Sequence, residues 1–272
     1  MDNRTPEQVR EHFEVERELA RRLKRAPRAD RPSLYMGLYD ELFRRVPHHP
    51  QLARKVSEDD TRALVHGQMK ILAPFLRPGS RYMEIGSGDC ALALAVAEQV
   101  SQVIAVDVSD EITKGKVFPS NMRLVLARGT DIPVQEGSID IAFSADLVEH
   151  LHPEDAFEQT RSIFLALGPG GKYVCVTPNR ICGPWDISRG FSRTAEGLHL
   201  KEYSISDLAA LFRRVGFIRI KVQIGLRGRI ALVPAQWMMA LESLVRLLPH
   251  AWRKRIAERF PWAGYIRMVG EK

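Results

Sequence analysis

The pattern of apolar and polar positions changes character near residue 81. Before that point apolar residues recur only at helical spacing. Val9, Phe13, Leu19 and Leu23 stand among dense Glu and Arg over residues 7–25, and Leu34, Leu38 and Leu42 repeat beside Tyr35, Tyr39 and Phe43 over residues 34–46. Pro27 and Pro32 separate these stretches, Pro47 and Pro50 close the second, and a third helix is predicted over residues 59–76, stopped by Arg77-Pro78-Gly79. From residue 81 onward, short strand-like runs alternate with helical ones. Strands are predicted over 81–85, 103–108, 123–127, 139–145, 172–177, 217–224 and 265–269, and helices over 91–100, 156–167 and 206–215. Such alternation predicts a parallel α/β sheet with helices on both faces, and ligands bound beyond the carboxyl ends of its strands.

The expected organisation is a helical extension over residues 1–60, able to cap a site as a lid, followed by an α/β domain over residues 61–272. Within that domain, residues 226–263 read as a helical insertion before the last strand. Trp237, Leu241, Leu244, Val245 and Leu248 follow helical spacing there, as do Trp252, Ile256 and Phe260 after Pro249.

Composition narrows the class. At 272 residues, 45% hydrophobic and 27% charged, the chain can bury a sizeable core, which excludes intrinsic disorder and fibrous repeats. Cys90, Cys175 and Cys182 form no Cys-x-x-Cys pair, so a disulfide scaffold and a zinc ribbon are disfavoured and a reducing cytoplasm is expected. Residues 1–18 hold no apolar leader segment, and the longest apolar run, Cys90–Ala97, is far short of the roughly 20 residues of a spanning helix. The expectation is a cytoplasmic protein with no transmembrane segment. The net charge of +7 is uneven: residues 61–212 carry 14 Lys/Arg against 18 Asp/Glu, whereas residues 213–272 carry 13 against 3. The basic excess therefore belongs to the C-terminal stretch, where Arg253, Lys254, Arg255 and Arg259 are interleaved with large apolar residues. That pattern suits an anionic lipid surface, a cap over an amphipathic acceptor, or plain packing, and ranks nucleic acid below them.

The chemistry-bearing stretch is Tyr82-Met83-Glu84-Ile85-Gly86-Ser87-Gly88-Asp89-Cys90, at a strand-to-helix turn. Gly86 and Gly88 let the backbone approach a ligand closely. Asp107 closes the next strand, where a carboxylate can accept both ribose hydroxyls. A dinucleotide fingerprint needs a third glycine, and Glu84 and Asp89 would repel a pyrophosphate. The same carboxylates attract an ammonium and a sulfonium, so charge favours S-adenosylmethionine over NAD.

Residues 80–224 resemble a class I S-adenosylmethionine-dependent methyltransferase. Glu84-Ile85-Gly86-Ser87-Gly88 resembles the first motif, with Cys90 where the third glycine is usual. Val106-Asp107-Val108-Ser109 resembles the ribose-binding motif, Asp131-Ile132-Pro133 and Gly137–Ala142 the adenine-lining region, and Leu167-Gly168-Pro169-Gly170-Gly171-Lys172 the turn before the fifth strand. The resemblance implies a Rossmann-like seven-stranded sheet whose last strand is antiparallel. It implies cofactor contacts from Glu84, Gly86, Ser87, Gly88, Asp107 and Val108, and from Gly129, Thr130, Asp131 and Ser144. Arg128 stands where an acid often precedes Gly129-Thr130, so Asp131 is the expected substitute for the adenine contact.

After the fourth strand comes Asp146-Leu147-Val148-Glu149-His150-Leu151-His152. A helical turn would put Asp146, Glu149 and His150 on one face, a set able to hold a divalent cation. The spacing is similar to the Glu-x-x-Glu-His of ubiquinone-pathway O-methyltransferases and small-RNA terminal 2′-O-methyltransferases, with His199 placed to complete the site. Asp146 is shorter than the Glu it would replace, and Glu-His here also occurs in metal-free members, so a metal at Asp146, Glu149, His150 and His199 is not the favoured reading. His199, His150 or His152 acting as general base for a hydroxyl ranks above it, with His199, His150 and Glu149 the expected catalytic residues. The expected function is methyl transfer to an oxygen of a small or lipid-like acceptor, of a secondary-metabolite, quinone or glycolipid kind. A metal-assisted RNA 2′-O-methyltransferase and a non-catalytic cofactor-binding scaffold are the alternatives, and residues 226–263 are the expected site of any peripheral membrane contact.

Overall fold

A computed structural model of the chain describes residues 4–50, 52, 58–226 and 229–272. Three helices come first: α1 (Pro6–Arg25), α2 (Arg31–Arg45) and α3 (Glu58–Leu72). Thr5 and Gln8 form a reciprocal capping box that starts α1 and satisfies donors its first turn would otherwise leave unpaired. The alternating part then runs β1 (Arg81–Ile85), α4 (Ala91–Ala97), β2 (Gln102–Asp107), β3 (Met122–Leu126), β4 (Ile139–Ala145), α5 (Pro153–Ala166), β5 (Leu167–Pro178), α6 (Ile205–Val215) and β6 (Arg219–Leu226). A hairpin strand β7 (Arg229–Pro234), helices α7 (Ala235–Arg246), α8 (His250–Arg259) and the single turn α9 (Pro261–Gly264), then β8 (Tyr265–Glu271), complete the order.

The strands form one sheet in the order β3-β2-β1-β4-β5-β8-β6-β7. β1 to β5 are mutually parallel, and β8 runs antiparallel between β5 and β6. Because helices cover both faces, the central strands read as nearly continuous apolar runs rather than alternating ones. Met83, Ile104, Ala142, Cys175 and Met268 point to the α5–α6 face, while Tyr82, Val103, Phe143, Val174 and Val269 point to the α3–α4 face.

The expected Rossmann-like sheet is present with one strand more than seven. The segment expected to be wholly helical from residue 226 begins instead with β7, which pairs antiparallel with β6 from Lys221↔Pro234 to Leu226↔Arg229. The free edge of β6 takes up the backbone groups of Ile230–Val233, and Pro234, which has no N–H to donate, ends the ladder and leads into α7. Helical insertion therefore starts at Ala235. β5 begins at Leu167, earlier than residue 172, because the Gly168–Gly171 run stays in the sheet through a register shift between Ile139 and Ile141. Helices α3 and α4 stop at Leu72 and Ala97, short of the predicted residues 76 and 100.

The insertion is anchored by one buried carboxylate. Glu242 of α7 accepts from Ile205 N (2.9 Å) and Ser206 N (3.4 Å) at the start of α6, and from Asn179 Nδ2 (3.2 Å). It thereby neutralises the positive end of that helix. Among the described residues no helix is long and apolar enough to cross a membrane.

The N-terminal helices dock on α5 and on the segment before α6. Leu19, Leu23, Leu38 and Leu42 enclose Leu198 and Leu200. Arg31, at the start of α2, donates to Asp155 Oδ1 (3.0 Å) and Glu154 Oε2 (2.9 Å), and Tyr35 donates to Asp155 Oδ2 (2.7 Å). Removing one member of a buried pair strands the other. Asp155→Ala is therefore expected to destabilise the fold by about 3 kcal/mol, read as a lower denaturation midpoint with early proteolysis within residues 4–50. Unchanged stability and protection would contradict this account of the docking.

Candidate functional site

The carboxyl ends of β1, β2 and β4 converge on the Gly86–Gly88 turn. Gly86, Gly88 and Cys90 all have positive φ, at 75°, 52° and 61°. A side chain on Gly88 would meet no atom within 4 Å, so its missing Cβ leaves open space over the turn, whereas Leu147 packs over Gly86. Asp107 organises this turn: its Oδ2 accepts from Gly88 N (2.7 Å), and its Oδ1 accepts from Val108 N (2.7 Å) and Ser109 N (3.3 Å). Asp107 thus holds the loop after β1 and its own loop with one carboxylate.

Glu84 is the opposite case. It is buried, its Oε2 has no hydrogen-bond partner, and burial, reinforced by Asp89 and Asp107, pushes its carboxyl up to about 8. A buried carboxylate beside an open glycine cradle, among further acids, fits a ligand carrying positive charge. S-Adenosylmethionine has that charge, and a pyrophosphate has the wrong sign. On the adenine side, Gly129 (φ 66°) and Thr130 lie in a tight turn closed by the Arg128–Asp131 bridge. Pro32 of α2 stands 3.0 Å from where a Gly129 Cβ would be, so the N-terminal helices reach this turn. Asp131 is exposed and Ile132 buried. Ser144 is buried in β4 with its hydroxyl on Tyr173 Oη (2.7 Å), so its partners lie in the sheet rather than in the Gly86–Gly88 turn.

The residues after β4 form no helical face. Asp146 adopts a left-handed conformation (φ 50°), and the following turn, Val148–His150, is a 3-10 turn. Asp tolerates that conformation because its short polar side chain carries a smaller steric penalty there than most. Asp146 consequently stands apart from the group that does converge: single ligand-type atoms of Glu149, His150 and His199 lie within 4.8 Å of one another. Glu149 is fully buried, its Oε2 accepts from Thr177 Oγ1 (2.9 Å), and its Oε1 has no partner. Burial, with Asp146 adding to it, raises its carboxyl to about 8.

The two imidazoles are set by different partners. His150 Nδ1 donates to the Leu198 carbonyl (3.0 Å), leaving Nε2 unprotonated in the neutral ring. Burial, then the proximity of His199, lowers its pKa to about 4. His199 Nδ1 donates to Glu202 Oε1 (2.9 Å). Burial opposes charge on His199, but the Glu202 bond together with Glu149 and Asp186 outweighs it and raises its pKa. The rings meet edge-on with centroids 4.9 Å apart. Sequence reasoning placed Glu149, His150 and His199 here and Tyr39 in a capping helix, but gave no role to Glu202 or Glu16. Tyr39 Oη lies 3.4 Å from His150 Nδ1, and Glu16 Oε2 accepts from Leu198 N (3.1 Å). The i,i+3 spacing of His199 and Glu202 was a usable signal; no periodicity links residue 16 to residue 198. The three cysteines are buried and free, and burial raises Cys90, pushes Cys175 up to about 12 and Cys182 to about 11, which removes thiolate chemistry.

Residues 83–175 match a family described as a methyltransferase domain. Over that stretch the chain carries a methyltransferase domain, similar to S-adenosylmethionine-dependent methyltransferases. It is 28% identical over 141 residues to a probable S-adenosylmethionine-dependent methyltransferase of Mycolicibacterium smegmatis, covering 51% of this chain and 52% of that one. A similarly named Mycobacterium tuberculosis protein is 28% identical over 141 residues, covering 51% and 48%. The chain thus spans about half the length of the curated relatives it matches. Among solved structures, the fold is similar to an Archaeoglobus fulgidus S-adenosylmethionine-dependent methyltransferase (TM-score 0.52, 18% identity, 78% of this chain and 94% of that one). It is also similar to the Burkholderia thailandensis 1,6-didemethyltoxoflavin-N1-methyltransferase, solved with 1,6-didemethyltoxoflavin and S-adenosylhomocysteine (TM-score 0.51, 17% identity, 89% and 90%).

A methyltransferase domain whose Glu84 titrates near 8 should bind its cationic cofactor in a pH-dependent way. Below pH 8 the carboxyl must release a proton to meet the cation, so affinity is expected to rise by up to about tenfold per pH unit and to level off above 8. Calorimetry in buffers of different ionisation enthalpy reads that proton directly. Glu84→Gln should abolish the pH dependence and weaken binding, and a flat profile in the unaltered protein would refute the assignment.

Proposed function

We propose that this chain transfers a methyl group from S-adenosylmethionine to a hydroxyl of a small or lipid-like acceptor, with His199 as general base. The observation that supports this reading most directly is the buried Glu202–His199 pair (2.9 Å) facing Glu149. When bound, S-adenosylmethionine supplies an electrophilic methyl group whose C–S bonding pair leaves as a neutral thioether. Glu84, Asp107 and the glycine turn orient the cofactor in this reading. His199 Nε2 takes the acceptor's hydroxyl proton as oxygen forms its bond to the methyl carbon, and Glu202 stabilises the imidazolium that results. His150, kept uncharged by burial, lines the same space without adding a competing positive charge.

His199→Ala is expected to lower kcat about 100-fold or more while leaving S-adenosylhomocysteine affinity within a factor of two or so. Activity should rise with pH through a pKa above 6.5, and Glu202→Gln should move that pKa downward, since the bond that raises it is weakened. A pH profile insensitive to Glu202→Gln would remove His199 from the role. The convergence of Glu149, His150 and His199 also favours a second reading, a divalent cation that activates the acceptor oxygen. Full activity in excess chelator excludes it, and loss restored by a divalent ion would replace the base mechanism.

Membrane delivery of the acceptor belongs to the same reading. Trp237 (66% exposed), Leu244 (65%) and Leu247 (82%) stand out from and just after α7, and Trp252 is exposed on α8. Arg255 and Arg259 lie on α8 as well, so the apolar face is flanked by cations. That combination suits the interface of an anionic bilayer. Phosphatidylglycerol vesicles should sediment the protein and phosphatidylcholine vesicles should not. Leu244→Asp with Leu247→Asp should abolish sedimentation without changing S-adenosylhomocysteine binding.

A further inference from the structure

A cavity of about 550 Å³ lies between the insertion and the sheet, at the carboxyl end of β5. That size suits a bound small molecule. Its floor is the register pair Val176–Arg267 of β5 and β8, one wall is Trp185, and Lys254 of α8 and Arg189 complete the cationic side, with Glu258 the one acid among the lining residues. Glu258 is exposed at the rim.

Arg267 is the unusual member. It is half-buried, and among the described residues its side chain has no hydrogen bond and no carboxylate partner. Burial lowers its pKa with no other group contributing. By contrast, the buried Arg31 is matched by Glu154 and Asp155. A desolvated, unmatched guanidinium is unfavourable for folding and favourable for meeting an anion.

The cavity is tied to the chemistry next to it. Trp185 N donates to Glu202 Oε1 (2.6 Å), the same oxygen that accepts from His199 Nδ1. The carbonyl of Val176 accepts from Asp146 N (3.0 Å), at the start of the turn that carries Glu149 and His150. The wall is therefore joined to His199 through Glu202, and the floor is bonded to the residue that opens the turn carrying Glu149 and His150. Arg189 also sits over the Trp185 ring at 5.8 Å, so cation and aromatic wall are held together.

We propose that this cavity is the acceptor subsite, and that it takes a largely apolar body bearing an anionic group, carboxylate or phosphate, which pairs with Arg267 and Lys254. This rests on the methyl-transfer reading for its role, but the binding it asserts can be measured without turnover. The apolar lining from Ile71, Val176, Trp185, Ala257 and Pro261 disfavours a hydrophilic polyanion. A neutral apolar acceptor would leave Arg267 unmatched.

The test is calorimetry on the full chain with octanoate, octyl phosphate and octanol as probes, each at low and high salt. Both anions are expected to bind at least about tenfold more tightly than octanol, with the preference reduced by salt, and the stronger of the two identifies the acceptor's anionic group. Arg267→Gln should remove most of that preference and Arg267→Lys should retain part of it. S-Adenosylhomocysteine is titrated into the same preparations. Equal affinity in wild type and Arg267→Gln establishes that the variant is folded, and no binding in wild type would sink the methyl-transfer reading while leaving the anion subsite standing. Octanol binding as well as octanoate, or an anion preference that survives Arg267→Gln, overturns the proposal.

Discussion

Two carboxylates buried at or just beyond the carboxyl ends of parallel strands, each with an oxygen that has no hydrogen-bond partner among the described residues, set the terms for the whole domain. Glu84 and Glu149 are both pushed up to about 8 by burial. A chain selected only for stability would pair or replace them. Glu84 lies near the end of β1, and Glu149 follows β4 in the 3-10 turn. Asp107 differs because its oxygens are occupied by backbone N–H groups and fix the shape of the glycine turn. One acid shapes the glycine turn, one lies unpaired beside it, and one lies beside the histidines. The division follows from which backbone donors each can reach.

The histidine pair depends on elements far away in the chain. Leu198 receives α1 through Glu16 on its N–H and holds His150 through its carbonyl. Burial opposes ionisation of Glu16, yet hydrogen bonds from His12 and His49 overcome it and hold its pKa near 2. The bond to Leu198 is therefore made by a carboxylate that stays charged through the neutral range. On the opposite side, Glu242 ties the insertion to Asn179 and to the start of α6. The segment between residues 179 and 204 is thus clamped from the N-terminal helices and from the insertion.

Much of this was legible in the sequence. Strand–helix alternation and the turn at Gly86–Gly88 are local signals, so β1 to β6, β8 and the cofactor cleft could be read directly. β7 could not, because Arg229–Pro234 is too short and too mixed to distinguish a strand from a helix start, and its pairing is decided by the open edge of β6. The helical face expected for Asp146, Glu149 and His150 failed at a single backbone angle, since Asp146 turns left-handed where an unbroken helix needs the opposite sign. The basic C-terminal stretch was visible as composition. Only the three-dimensional structure shows that Arg267 lines a cavity with no carboxylate partner among the described residues.

The Leu198 peptide has a consequence for how the domain can be divided. The family match ends at residue 175, and the cofactor turn lies wholly within it. His199, Glu202 and the peptide that aims His150 lie beyond that limit, and Glu16 lies before it. A fragment cut at the boundaries of the family match would keep the glycine cradle and lose the partners that set both imidazoles. The stretch that the family match covers and the residues that set both imidazoles are therefore different parts of the chain, and the second are drawn from both sides of the first.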